Sequence, residues 1–203
     1  MKEQELYVIN RALDGHDIFG LPKQEVLPLT ELIIESIKNQ LIIKGILETP
    51  DRFSDKGLLY AKRLEAYKNA ASYIVIDNII LALMGKEKST LLFYNKYYDE
   101  YTLETVVLEQ IIPMIQKKYV FMSESYAYDT AEEISCNSLD GYRFGEKDNF
   151  DIKIYEKKVL KSSKKYFLCD EKIHIFDYKN RMLKICNGSE ALAQLKKEVF
   201  LYV

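Results

Sequence analysis

Apolar residues recur at helical spacing in three stretches before residue 72, and from there the period shortens to that of strands. Leu6, Ile9, Asn10 and Leu13 share a face of a first helix, Glu3 to Leu13. Asp14-Gly15 ends it, glycine tolerating the left-handed backbone wanted at a helix stop. The connection Ile18-Phe19-Gly20-Leu21-Pro22 is unusually apolar for a loop, and Pro22 and Pro28 keep it extended, so it is expected to plug onto the helices. Thr30 is a suitable N-cap for a second helix, in which Leu32, Ile33, Ile37 and Leu41 recur and which Gly45 stops. Ile46-Leu47 makes a short apolar return. Ser54-Asp55-Lys56 then opens a third helix carrying Leu58, Leu59, Ala61, Leu64, Tyr67 and Ala71.

Tyr73 to Ile76 and Ile79 to Leu83 are rich in β-branched residues and read as strands. Gly85-Lys86-Glu87-Lys88 is a turn, Ser89 to Tyr94 resumes as a strand, Asn95-Lys96 reverses the chain, and Tyr98 to Thr105 returns. Val106, Val107, Ile111, Met114 and Ile115 suit a helix over Leu103 to Tyr119, with a kink at Pro113. Between Lys118 and Arg143 every charge is acidic: Glu124, Asp129, Glu132, Glu133 and Asp140. This stretch, with the turn signals Asp140-Gly141 and Phe144-Gly145 at its end, reads as a linker. Beyond it, Phe150 to Tyr155, Tyr166 to Cys169, Ile173 to Phe176 and Met182 to Ile185 form a strand meander, closed by a helix from Glu190 to Phe200 behind Asn187-Gly188-Ser189.

The pattern predicts an α+β fold: a mainly antiparallel sheet flanked by helices, in two quasi-symmetric halves, because short turns join the strands. The halves are 1–119 and 142–203 of one domain, joined by the acidic linker 120–141. At 203 residues and 48% hydrophobic, the chain can bury a real core. A net charge of −2 gives no overall pull toward DNA or an anionic bilayer. No apolar run reaches the ~18 residues a spanning helix needs, and the polar N-terminus lacks a leader-like apolar stretch. Cys136, Cys169 and Cys186 are odd in number and lack metal or CxxC spacing, which suits a reducing cytoplasm.

Chemistry-bearing residues are sparse. His16, between Gly15 and Asp17, has too few ligand neighbours for a metal site. His174, flanked by Ile173 and Ile175, points away from both and is expected at the surface. Ser162, Ser163 and Ser189 lack an activating turn, and Glu109 with Glu132 and Glu133 is at most a loose acid pair. No Walker loop or GxGxxG is present. These readings predict a protein that is not an enzyme and needs no cofactor or metal.

Two stretches suit binding. Tyr94, Tyr97, Tyr98 and Tyr101 surround a hairpin turn, and alternation forces some rings outward, where tyrosine offers a rigid apolar face with a polar tip; 16 tyrosines and no tryptophan also make it a routine packing residue here. The run from Lys157 to Lys165 carries five lysines at an expected hairpin loop, either a solvated turn or a dock for an acidic partner.

The element order, with Phe19-Gly20-Leu21-Pro22, the helix ending at Lys44-Gly45-Ile46 and strands from Tyr73, resembles the EspG-like chaperones of type VII secretion across about Leu6 to Thr105. It is similar above all to the shorter proteins encoded among such secretion genes in low-GC bacteria. The resemblance implies a cytoplasmic chaperone or adaptor that grips a helical secreted partner of the type VII pathway, with a central antiparallel sheet in two quasi-symmetric halves. Lys86, Lys88, Tyr94, Tyr97, Tyr98 and Tyr101 would contact that partner, the Gly85 to Lys88 turn, the tyrosine hairpin and the C-terminal helix acting as a clamp. No nucleic acid and no membrane insertion are expected. Two alternatives stand beside it: an immunity protein against a secreted toxin, and a winged-helix regulator whose recognition helix would be Thr30 to Lys44.

Overall fold

The computed structural model describes residues 1–23, 29–85, 87–123, 131–145 and 147–201. Pro28, Lys86, Glu124 and Asp129 lie outside the described residues. Three helices come first: α1 (Glu3–Arg11), α2 (Glu31–Ile43) and α3 (Asp55–Lys68). Side chains cap two of them as expected, Thr30 accepting from Ile33 N–H and Ser54 from Gly57 N–H. Gly15 and Gly45 both take the left-handed backbone at the helix ends. The return after α2 is a small hairpin, β1 (Leu47–Thr49) with β2 (Arg52–Phe53), which the sequence pattern did not suggest. The apolar plug is real: Ile18 is buried, Phe19 stacks on Tyr73 at 4.2 Å, and Tyr67 Oη donates to the Phe19 carbonyl.

Next come β3 (Ser72–Ile76), β4 (Ile79–Leu83), β5 (Lys88–Asn95), β6 (Glu100–Val107) and helix α4 (Ile111–Lys118). The helix expected over Leu103 to Tyr119 is therefore shorter. Val106 and Val107 extend β6 past Thr105, a single 3-10 turn (Leu108–Gln110) follows, and α4 begins only at Ile111. Pro113 falls in the first turn of α4, where no intrahelical N–H is needed, and it produces no mid-helix break. The acidic stretch is also more than a linker, because β7 (Glu132–Ser135) lies within it. The chain closes with β8 (Asn149–Glu156), β9 (Val159–Cys169), β10 (Lys172–Asp177), β11 (Met182–Cys186) and α5 (Gly188–Phe200), which Asn187 and Glu190 open with a reciprocal capping box.

The large sheet has nine strands in the order β6-β5-β4-β3-β8-β9-β10-β11-β7, and every neighbouring pair is antiparallel. Its logic is a repeated unit. β3 to β6 run outward from the middle as a meander and lead into α4; β8 to β11 run outward the other way and lead into α5. The two meanders meet at their first strands, where Ile74 stands opposite Ile154 and Ile76 opposite Ile152. The halves are thus quasi-symmetric about the β3–β8 seam, within an α+β fold.

One face of the sheet carries a core shared by both halves: Ile74, Leu81, Phe150, Ile152 and Ile175 pack under Ile111 and Ile115 of α4 and Leu195 and Val199 of α5. On the other face, Tyr73, Ala82, Leu92 and Leu103 of the first half lie under α1, α2 and α3 through Leu6, Ile9, Leu41 and Leu64. The same face of the second half has a thinner cover. Phe167, Phe176 and Leu183 sit beneath Leu139, Tyr142 and Phe144, which belong to a strap leading from β7 toward β8. His174 is buried under that strap rather than exposed: its ring stacks on Phe167 at 5.0 Å and meets Tyr142 at 5.5 Å. It does point away from Ile173 and Ile175, but this second face is covered too.

Candidate functional site

The tyrosines divide by their place on the β5–β6 hairpin. Asn95 pairs with Glu100, leaving Lys96-Tyr97-Tyr98-Asp99 as the loop. Asn95 Oδ1 accepts from Tyr97 N–H, and Asp99 takes a left-handed backbone at the last loop position. Tyr97 is 97% exposed and Tyr98 71% exposed. Tyr94 and Tyr101 stand opposite one another in the ladder with ring centroids 4.8 Å apart, and Tyr101 packs against the first-half helical core. Burial pushes the Tyr101 hydroxyl up to about 12. Tyr94 Oη donates to Asp99 Oδ1, and this bond, with Lys2 nearby, holds the Asp99 carboxyl below its ordinary range. Lys2 Nζ also donates to the Tyr98 carbonyl at 2.7 Å. Two exposed rings are therefore carried on a loop that its own strands and the start of α1 hold in place.

The same corner is tied down by charge. Glu5 of α1 is buried and pairs with Lys44 at 2.8 Å, and Lys44 reaches Glu100 of β6 at 3.6 Å. Met1 lies alongside β6. The Tyr101 N–H donates to the Met1 carbonyl and the Met1 nitrogen donates to the Tyr101 carbonyl.

The remaining expected contacts are not gathered here. Lys88 begins β5 and Tyr97 follows its far end, so at 3.3 Å per residue the two are about 23 Å apart. Lys86 lies outside the described residues. Helix α5 covers the other half of the sheet on the opposite face from Tyr101. The clamp made of the Gly85 to Lys88 turn, the tyrosine hairpin and the C-terminal helix is therefore not a single site. The lysine run is likewise no loop. Only Lys157 and Lys158 make the turn, both left-handed, while β9 carries the others. There Lys161 pairs with Glu156, Lys164 with the buried Glu198 of α5, and Lys165 with Asp151. Beside them a hollow of about 660 Å³ is lined by Asp151, Lys153, Lys161, Ser163, Tyr178 and Lys179.

A second hollow, about 410 Å³, opens between α1, α2 and the β1–β2 hairpin, with Val8, Ile9, Ile34, Leu41, Leu47 and Phe53 in its wall. Helix α2 leaves two large apolar side chains, Leu32 and Ile43, well exposed. Nothing in the sequence pattern singled out this groove, because its wall is assembled from three separate elements.

The chemistry-bearing residues are scattered. Glu109 adjoins β6 and Glu132 and Glu133 lie on β7, the two outermost strands, roughly 38 Å apart at the usual strand spacing. His16 N–H donates to Asp14, whose carboxylate pairs with Lys68. Ser162 Oγ donates to Glu198. Among the described residues no group of three or more His, Cys, Asp or Glu side chains is placed to hold a metal, and no helix is long and apolar enough to cross a membrane. Burial raises the Cys186 thiol to about 11, where it stays protonated.

Comparison with curated proteins gives no match. A family model does match, over residues 1–138, from α1 through β7. The chain belongs to the family described as Domain of unknown function (DUF5081).

Proposed function

We propose that this chain is a non-enzymatic, cytoplasmic binding protein, a chaperone or adaptor that holds a helical substrate of type VII secretion. The observation that carries this reading is the tyrosine hairpin. Two large rings, Tyr97 and Tyr98, stand in solvent on a loop fixed by Tyr94, Asp99 and Lys2, and such preorganised aromatic groups supply contact area at low entropic cost. Lys2, Lys96 and Asp99 give the apolar centre a charged rim. The quasi-symmetric antiparallel sheet also agrees with the fold that the resemblance to the EspG-like chaperones implies. A DNA-reading role draws little support from α2, whose exposed positions include Leu32, Ile43, Glu31 and Glu35, while Lys44 just beyond its end is paired with Glu5.

The test is affinity purification from the native host followed by mass spectrometry. The wild-type chain is expected to enrich a small helical secretion substrate, and the Tyr97→Ala/Tyr98→Ala double variant to lose it while its thermal unfolding stays unchanged. Retention of the substrate by the double variant, or failure of the wild type to enrich one, overturns the proposal. Protection of cells against a co-expressed toxin with secretion intact would replace the chaperone by an inhibitor.

A further inference from the structure

We infer that the outer edge of β6 is a strand-addition site, which takes an extended segment of a partner polypeptide bearing a basic residue opposite Glu104. The inference deepens the proposed polypeptide-binding role and rests on it.

Hydrogen-bond accounting leads to it. In an antiparallel edge strand, alternate residues point their N–H and C=O groups outward. The phase is fixed at both ends of β6: Tyr101 bonds outward to Met1, whereas Leu108 N–H bonds inward to the Glu87 carbonyl. Leu103, Thr105 and Val107 therefore also face outward; no further strand pairs with them among the described residues, and only the Val107 carbonyl is turned to another use, at the start of the 3-10 turn Leu108–Gln110. Met1 has already made the first rung of a further strand, with both bonds in place at Tyr101.

The two edges of the sheet differ in the way that matters. Exposed edges are ordinarily blunted by shortness, charge, proline or a bulge. The far edge, β7, follows that rule: it has four residues, and Glu132 and Glu133 are two of them. The β6 edge follows it only through the charges of Glu100, which Lys44 pairs, and Glu104. It is eight residues long, pairs with β5 without a register shift, contains no proline, and ends in Thr105-Val106-Val107.

Charge selects the occupant. Glu104 is exposed at mid-strand and makes no ion pair among the described residues. A second copy pairing edge to edge fits poorly. A register centred on Glu104 sets that carboxylate against itself, which is unfavourable. One centred on Leu103 collides with Met1 at Tyr101, and one centred on Thr105 joins only the short stretch from Leu103 to Val107. A different chain with a lysine or arginine opposite Glu104 escapes the carboxylate repulsion and, by stopping short of Tyr101, uses the stretch from Leu103 to Val107 without meeting Met1.

The probe is an acetylated, amidated pentapeptide that alternates threonine and valine about a central lysine, short enough to end before Met1 at Tyr101, read by fluorescence anisotropy with the full chain. It is expected to bind, and to lose about tenfold or more in affinity to Thr105→Pro. That substitution removes an outward N–H used by no bond within the fold. Glu104→Lys should reverse the preference, favouring the same peptide with glutamate at its centre. Should Thr105→Pro fail to fold, the probe methylated on alternate backbone nitrogens makes the same measurement on the wild-type chain, and its binding should vanish. The inference is overturned if the probe shows no saturable binding up to about 1 mM, if neither Thr105→Pro nor backbone methylation weakens it, or if light scattering finds a dimer that Thr105→Pro dissociates. Retention of the helical substrate by Tyr97→Ala/Tyr98→Ala, with probe binding to the wild-type chain intact, would sink the chaperone reading's surface alone; loss of the substrate by that double variant, with no probe binding to the wild-type chain, would sink this one alone.

Discussion

A β-carbon on Gly57 would come within 1.9 Å of the Ile46 carbonyl oxygen, so the first turn of α3 can lie against the β1–β2 hairpin only because that residue has no side chain. Backbone cannot step aside as a flexible side-chain tip can. Gly57→Ala is expected to cost about 2–3 kcal/mol in urea denaturation. Gly141→Ala, where an added carbon meets nothing within 4 Å, should stay within about 0.5 kcal/mol. At this scale the local signals were the legible ones. Thr30, Ser54 and Asn187 cap because a short hydroxyl or amide beside an apolar run has one energetically sensible use, and Gly15 and Gly45 stop helices for an equally local reason. The tyrosine hairpin was legible as a group. Alternation said that some rings must face out, but which ones depends on the loop: Tyr97 and Tyr98 do, whereas Tyr94 and Tyr101 pack on the sheet. His174 was misread because period 2 tells which face a side chain takes and not whether something distant covers that face.

Among the elements, the strap between β7 and β8 covers a group that ties stability to pH just below neutrality. His174 lies beneath Tyr142, stacked on Phe167, and burial holds its imidazole below the ordinary value of 6.5. A group whose pKa is lowered by folding is neutral in the native state, so its contribution is full above pH 6.5 and is lost as pH falls from there toward the depressed value. Thermal unfolding followed from pH 7.5 to 5 should show this decline, and His174→Phe should flatten it. The elements that could not be read from the chain have a common cause. Val106 and Val107 fit a helix stripe and a strand equally well over so short a window, and the ladder with β5 decides for the strand. The β1–β2 hairpin and β7 are so short that no period can be counted in them, and β7 exists as a strand only because β11 supplies its hydrogen bonds. In the same way the lysines after Lys158 looked like loop because charge usually marks solvent, yet Lys164 and Lys165 find carboxylates across the sheet and under α5.

For the whole molecule, the alternation of turns with apolar runs was enough to give an antiparallel α+β fold in two quasi-symmetric halves, because hairpin connections leave few other ways to order the strands. What the pattern could not give is the long-range pairing. The β3–β8 seam joins residues about eighty positions apart, and β7 skips the whole of the second meander to pair with β11. This placement bears on the unit of folding. Residues 1–138, the stretch matched by the family model, contain β7 but neither β11 nor β8, so on their own they leave β7 unpaired and the apolar face of β3 without its neighbour. That fragment is expected to lack cooperative thermal unfolding by circular dichroism and to regain it on mixing with residues 139–203; a sharp transition from the fragment alone would refute this. Because β7, from the chain's middle, lies beyond the far end of the second meander and pairs with its last strand, the two sequence segments interlock in space. A covalent break in the strap would then change the number of chains without changing the number of bodies.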